Sequence, residues 1–340
     1  MPKDIIVVGA STGGIEALKM LVGALPKDFA ASIFIVVHTS PHSPGILAAI
    51  LERAGDLAAV AVKYRERIRP GVIYVPPPDH HLLLEPGVAL TTRGPRENRF
   101  RPAVDPLFRS AAQVYGPRVV GVILTGGLDD GTAGLWAVKK LGGTAIVQDP
   151  KDALVDSMPR NALQHVSVDY CLPLSEIAPL LVRLTGKGAA AQEEGTYQVP
   201  EEFEIEVNIA REEVALDAGV LKLGEPSNYA CPECHGVLLQ LKEAGRMRFR
   251  CHTGHAYSVD SLIAEISEGV DEALWNAVRA IEEHILLMRH LAEHARANEN
   301  GTTAEHFLRR AQAAERRADL LRQASMKHET SSADETSETT

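Results

Sequence analysis

Extended apolar runs, a disulfide framework and a surplus of positive charge are all missing from this 340-residue chain. No stretch of eighteen uninterrupted apolar residues occurs, and the N-terminus opens Met1-Pro2-Lys3-Asp4 before a short apolar run, which argues against a membrane span or a secretory leader. A cytoplasmic protein without membrane insertion is therefore expected. Cysteine is scarce: of Cys171, Cys231, Cys234 and Cys251, three fall in one short stretch, a pattern suited to a metal site rather than to disulfides. A formal net charge of -10 argues against a general nucleic-acid binder, although Arg93, Arg96, Arg99 and Arg101 form one local basic run. The acidity is also local. Residues 192–217 carry nine acids against Arg211, whereas residues 1–185 hold 19 basic and 17 acidic side chains.

With 45% hydrophobic and 24% charged residues, the chain has the composition of a globular protein and the length for two domains. Apolar runs at Ile5–Val8, Ile33–Val37, Val119–Leu124 and Thr144–Val147 read as strands. They alternate with helix-period segments near 14–24, 44–54, 104–115 and 132–141. This predicts an α/β fold with a doubly wound, mostly parallel sheet. Gly71–Thr92 reads instead as short strands broken by Pro and Gly turns, an antiparallel edge. Small, flexible and acidic residues then replace periodicity at 186–200. The domain reading is an α/β domain over 1–186, an acidic linker over 187–227, a zinc-ribbon-like module over 228–258, a helical hairpin or coiled coil over 259–325 and a disordered Ser/Thr/Glu tail over 326–340.

Between the first strand and the first helix lies Gly9-Ala10-Ser11-Thr12-Gly13-Gly14. A glycine-rich turn before a helix suits phosphate. The spacing, however, is neither G-x-G-x-x-G nor G-x-x-x-x-G-K-[ST], and no lysine follows. The stretch does fit G-x-S-x-G, in which small neighbours expose a serine hydroxyl beside helix N–H groups able to stabilise an oxyanion. A serine nucleophile needs a base and a group to orient it. His38 directly follows the Ile33–Val37 run, and Asp129 and Asp130 follow the Val119–Leu124 run. In a parallel sheet all three would meet at one edge, where ligands bind. The order Ser, His, Asp differs from the Ser, Asp, His of α/β-hydrolases.

Gly9–Gly14, the His38 strand end, "GVIYVPPPDHHL", Arg101–Ala112, Val122–Leu135 and "QDPKDALVDSMPRNAL" (Gln148–Leu163) occur in one order, over roughly residues 3–184. Together they resemble the catalytic domain of the CheB family of chemotaxis protein-glutamate methylesterases. The resemblance implies Ser11 as nucleophile, His38 as general base and Asp130 as its orienting partner. It implies hydrolysis of glutamyl methyl esters on the cytoplasmic helices of receptors and, in some members, deamidation of receptor glutamines, with no cofactor for catalysis. Thr12, Gly127 and Met158 are the candidates for oxyanion or substrate contacts, while Asp105 and Arg109 are either structural or substrate-facing. Two departures stand out: Gly127 occupies a position usually held by methionine, and the resemblance starts at residue 3, where the family usually has a receiver domain first, so control in cis by phosphorylation is not expected. They motivate a second reading, a scaffold protein that binds signalling partners without turnover.

Cys231-Pro232-Glu233-Cys234 and Cys251-His252-Thr253-Gly254-His255 have two-knuckle zinc-ribbon spacing. A structural zinc is expected on Cys231, Cys234, Cys251 and His255, with His252 and His235 as alternatives to His255. The stripe Leu262, Ile266, Val270, Leu274, Ala277, Val278, Ile281, Ile285, Met288 and Leu291 suits a helix that packs in a hairpin, dimerises or docks on the coiled-coil helices of a methylated receptor. On this reading residues 228–340 localise the enzyme and are dispensable for hydrolysis of a soluble ester.

Overall fold

The computed structural model of the chain describes residues 3–186, 198–212, 214–241 and 246–335. In chain order the elements are β1 (Ile5–Ala10), α1 (Gly14–Gly23), β2 (Ser32–Val37), α2 (Leu47–Ala54), β3 (Ala58–Ala61), β4 (Arg65–Arg67), β5 (Val72–Val75), β6 (His81–Glu85), β7 (Val88–Thr92), α3 (Val104–Tyr115), β8 (Val119–Ile123) and α4 (Thr132–Lys140). There follow β9 (Thr144–Gln148), α5 (Ser157–His165), β10 (Tyr170–Leu172), α6 (Leu174–Thr185), α7 (Glu201–Ala210), β11 (Gly224–Ala230), β12 (Val237–Leu241), β13 (Arg248–Cys251), β14 (Ala256–Ser258), α8 (Val259–Ala297) and α9 (Gly301–Glu335). The chain divides into two units, residues 1–262 and residues 263–340.

The first unit is built on a seven-stranded sheet of order β10-β9-β8-β1-β2-β5-β3, with every pairing parallel. Its central strands are continuous Ile/Val runs because both faces are covered, and all residues of β1, β2 and β8 are buried. Leu18, Leu21, Leu51 and Ile177 of α1, α2 and α6 fill one face. Leu107, Phe108, Leu135 and Ala162 of α3, α4 and α5 fill the other. Strand order reverses at β1, which lies between β2 and β8. The antiparallel strands expected at an edge form a sheet of their own, β4-β7-β6, while Val72–Val75 joins the large sheet in parallel.

The expected linker over 187–227 needs correction in its second half; its residues 187–197 and Glu213 lie outside the described residues. Glu201–Ala210 is a helix with Phe203, Ile205, Glu206, Val207 and Ile209 buried. Phe203 enters the core beneath the large sheet and meets Trp136 edge-on, with ring centroids 5.7 Å apart. Ile205 and Ile209 pack with Leu239 and Leu241 of β12. The helix therefore joins the sheet domain to the antiparallel sheet β11-β12-β13-β14. Buried Glu206 meets Arg248 at 2.8 Å and Arg250 at 2.7 Å, and Glu97 meets Arg250 at 2.9 Å and also pairs with Arg109.

In the second unit, Ile285 and Met288 of α8 pack on Ala311 and Ala314 of α9, flanked by Ile281, Leu291 and Phe307. Arg289 reaches Glu315 at 2.6 Å, and Arg322 pairs with Glu282. Only the C-terminal half of the apolar stripe is used in this hairpin; Ile266 and Val270 are exposed. The tail boundary also moves, since α9 runs to Glu335, ten residues past the expected end at 325. Among the described residues no helix is long and apolar enough to cross a membrane.

Burial of Glu206 among three guanidinium groups gives a direct test of the corrected linker. Glu206→Ala leaves those charges underpaired and is expected to cost about 3–5 kcal/mol in denaturant unfolding. Exposed Glu204→Ala, two residues away, should change stability by no more than about 0.5–1 kcal/mol. Equal, small effects would restore the linker reading.

Candidate active site and metal centre

Ser11 follows β1 at the turn into α1, His38 follows β2, and Asp130 lies in the loop between β8 and α4. The reversal of strand order at β1 places these three loops side by side. Backbone geometry makes the Ser11 turn. Gly13 has φ +77°, a left-handed conformation that side chains disfavour. The Ser11 N–H donates to the Thr125 carbonyl at 3.0 Å, tying the turn to the end of β8. Gly126 lies so close beneath it that a Cβ there would fall 2.8 Å from Ser11 Cβ and 2.1 Å from Met158 Sδ.

His38 Nδ1 lies 3.1 Å from Ser11 Oγ, and His38 Nε2 lies 2.7 Å from Asp130 Oδ2. A carboxylate at Nε2 keeps the ring proton there, so the Nδ1 lone pair faces the Ser11 hydroxyl. Both side chains are shielded from water, at 3% and 1% exposure. Asp130 also accepts from the Val104 N–H at 2.6 Å, the Gly131 N–H at 2.9 Å and the Asn98 amide at 2.9 Å. Burial alone would raise its pKa; the hydrogen bond and charge of His38, with the Val104 and Asn98 donors, outweigh burial and hold the carboxyl below its ordinary value. Phe100 stacks on the other side of the imidazole, with ring centroids 3.7 Å apart and planes at 8°.

A cavity of about 430 Å³ opens beside the serine, lined by Ser11, Thr12, His38, Arg96, Arg99 and Phe100 among others. Part of the local basic run therefore faces this cavity, and Asp79 holds Arg101 at 2.8 Å and also pairs with Arg93. Thr12 is exposed at the cavity, and a side chain at Gly127 would enter open space. Met158 needs correction as a substrate contact: it is completely buried and supports Gly126 from below. Asp105 and Arg109 are also buried; Asp105 accepts from the Gly134 N–H at 2.6 Å, and Arg109 pairs with Glu97.

Asp129 and Asp130, both open from the strand pattern, are separated by their surroundings. Asp130 faces His38, whereas Asp129 accepts from Ser258 Oγ at 2.6 Å. Sequence reasoning missed Asn98 and Phe100. The motif that carries the family resemblance starts at Arg101, and nothing in Glu97-Asn98-Arg99 marks Asn98 as a partner of the loop after β8. The signal available was conformational: Asn98 has φ +49°, a region that asparagine tolerates better than most residues.

Cys231, Cys234, Cys251 and His255 offer ligand atoms that all lie within 4.8 Å of one another, a group that could hold a metal ion. A tetrahedron with metal–sulfur bonds of about 2.3 Å and a metal–nitrogen bond of about 2.0 Å has edges of about 3.5–3.8 Å. Cys234 Sγ to Cys251 Sγ is 3.6 Å, and His255 Nδ1 is 3.6 Å from both Cys231 Sγ and Cys251 Sγ. His255 Nε2 faces Glu233 at 3.3 Å, which fixes the ring with Nδ1 toward the sulfurs. His235 and His252, the alternatives to His255, are exposed and lie outside this group.

Burial drives the Asp129 carboxyl up to about 7 from its ordinary 3.8, with Asp260, Asp105 and Asp130 adding to the rise against the Ser258 hydrogen bond. Between those values the folded chain binds more protons than the unfolded one, so this group erodes stability as pH rises from about 4 to about 7. Asp129→Asn should therefore be more stable than the parent at pH 8 by on the order of 1–3 kcal/mol in denaturant unfolding, with the difference shrinking at pH 5. A gain that is larger at pH 5 would contradict the burial argument.

The model of the CheB methylesterase family matches residues 6–181. A Moorella thermoacetica protein-glutamate methylesterase/protein-glutamine glutaminase is 40% identical over 194 residues, 54% of this chain and 45% of its own length. A Leptospira interrogans relative that carries the same pair of activities in its name is 42% identical over 185 residues, covering 54% of this chain and 96% of that protein. The crystal structure of the Thermotoga maritima CheB methylesterase catalytic domain superposes with a TM-score of 0.51 at 36% identity, covering 53% of this chain and 98% of that one.

Proposed function

Because the chain belongs to the CheB methylesterase family, we propose that it is a protein-glutamate methylesterase and protein-glutamine glutaminase, with Ser11, His38 and Asp130 as its catalytic triad. The observation that carries this reading is the His38 imidazole bridging Ser11 Oγ at 3.1 Å and the buried Asp130 carboxylate at 2.7 Å. The paired activities in the names of the relatives supply the substrate class.

On approach of a glutamyl methyl ester, His38 Nδ1 takes the Ser11 hydroxyl proton as Oγ bonds to the ester carbonyl carbon. The tetrahedral oxyanion falls beside Thr12 and the N-terminal end of α1, whose first amides lack partners within the helix. The carbon–methoxy bond then breaks as the His38 imidazolium gives its proton to the methoxy oxygen, which leaves as methanol. Water adds to the acyl carbon by the same route in reverse and frees Ser11 and the glutamate. A glutamine side chain follows the same course with ammonia as leaving group. Asp130 keeps the ring proton on Nε2 and stabilises the imidazolium in both halves.

The substrate is an acidic helical segment of a methylated receptor, a fit supported by Arg96 and Arg99 at the cavity. Cys231, Cys234, Cys251 and His255 would hold zinc, since three sulfurs and one imidazole suit that metal and would leave no ligand position for water. Its role would be structural, crosslinking β11–β12 to β13–β14 in a sheet with a small core of its own.

Methanol release from a methylated receptor is expected to fall by about 10⁴-fold in Ser11→Ala and by about 10³–10⁴-fold in Asp130→Asn. Undiminished release in Ser11→Ala would remove the nucleophile assignment and favour a binding protein. Elemental analysis of the purified chain should return one zinc per molecule, lost on Cys234→Ala; a chain devoid of metal would overturn the zinc assignment.

A further inference from the structure

Asn98 stands between the triad and the C-terminal extension. It is 4% exposed, and its side-chain amide donates to Asp130 Oδ1 at 2.9 Å and to Asp105 Oδ2 at 3.0 Å. Its carbonyl oxygen accepts from the Ser258 N–H at 3.0 Å and from the Ser261 hydroxyl at 3.2 Å. These partners fix the orientation of the amide. Two carboxylates demand the NH₂ group on one side, and a backbone N–H demands the oxygen on the other. The amide has no spare capacity, and both donors to its oxygen come from the residues that immediately follow the metal-binding group.

The main chain repeats the link. The Asn98 N–H donates to the Ala256 carbonyl at 2.8 Å, and the Ala256 N–H donates to the Arg96 carbonyl at 3.2 Å. Arg250 holds Glu97 at 2.9 Å, and Ser258 Oγ holds Asp129. The loop clamped in this way also carries Phe100, which lies flat on the His38 ring. His255, in the metal-binding group, is one residue before β14, and β14 supplies Ala256 and Ser258. A continuous path therefore runs from the ribbon through β14 and Asn98 to Asp130, His38 and Ser11.

We propose that Asn98 is a positioning residue for the triad and that the extension, through Ser258 and Ser261, holds it in place, so that metal binding in the ribbon and esterase turnover are coupled. This rests on the assignment of Ser11, His38 and Asp130 as catalytic. It replaces the expectation that residues 228–340 are separable from hydrolysis: removing them would leave the Asn98 oxygen and Glu97 without their partners from β13, β14 and Ser261. The extension acts on the orientation of the catalytic carboxylate and touches no substrate.

The test uses the full-length protein and a short soluble peptide carrying one glutamate γ-methyl ester. Ser261→Ala, which keeps every metal ligand, is expected to lower kcat about fivefold with KM unchanged, and Asn98→Ala about tenfold to thirtyfold. The double variant should match Asn98→Ala alone, because the serine acts only through the asparagine. The downfield proton resonance of the His38–Asp130 hydrogen bond should broaden in Ser261→Ala while zinc content stays at the parent value. Stripping zinc with a chelator should lower kcat, and adding zinc back should restore it. An unchanged kcat in Ser261→Ala or in the zinc-free protein, or losses that multiply in the double variant, would overturn the coupling. Ser11→Ala is assayed beside them. If it still releases methanol, the triad assignment itself falls; if it is inactive while Ser261→Ala and the zinc-free protein turn over normally, only the coupling falls.

Discussion

Five buried charged side chains hold the first unit together. Glu97 and Glu206 lie among Arg109, Arg248 and Arg250, all at 5% exposure or less. Burial of a carboxylate is costly, yet both carboxyls are held below their ordinary pKa: for Glu206 the charges of Arg109, Arg248 and Arg250 outweigh burial, and for Glu97 those of Arg109 and Arg250 do. Such a cluster is stable only when every element that feeds it is in place. Arg109 comes from α3, Glu97 from the loop before it, Glu206 from α7 and the two remaining arginines from β13. Sheet domain, acidic helix and the antiparallel sheet β11–β14 are therefore one electrostatic assembly, and the loop that closes over His38 is one of its walls.

The site depends on that assembly in an indirect way. Ser11 and His38 ride on the turns after β1 and β2, where parallel pairing sets their spacing. The Asp130 carboxylate lies in a loop and is held by donors from three other places: the start of α3, the backbone of Gly131 and the amide of Asn98. Strand ends thus deliver Ser11 and His38. Asp130 is placed by hydrogen bonds that reach as far as residue 261.

Much of this was legible in the chain itself. Four strands and four helices of the sheet domain lie within a few residues of where periodicity places them, because short Ile/Val runs between helix-period segments have few ways to be buried on both faces. Spacing also marks Cys231, Cys234, Cys251 and His255, since their meeting in a small sheet is built from local turns. Two readings failed for one shared reason. The acids of 201–206 look solvated by composition, but Phe203, Ile205, Val207 and Ile209 give the helix two buried sides and Glu206 finds arginines 42 and 44 residues away. Met158 looks like part of a loop near the substrate, yet it fills the space under Gly126.

Local pattern by itself determined the parallel α/β class, the serine turn, the strand-end histidine and the Cys/His turns, since each depends on neighbours only a few positions away. Tertiary structure decided which of two adjacent aspartates faces His38, that a loop asparagine braces it, and that an acidic stretch is a buried helix instead of a linker. Those choices turn on pairings across 32 to 163 residues, such as Asn98 with Asp130 and with Ser261. Hydrogen-bond partners at that distance leave no periodicity in the chain, because they are selected by three-dimensional packing and by the cost of leaving a buried charge or amide without one.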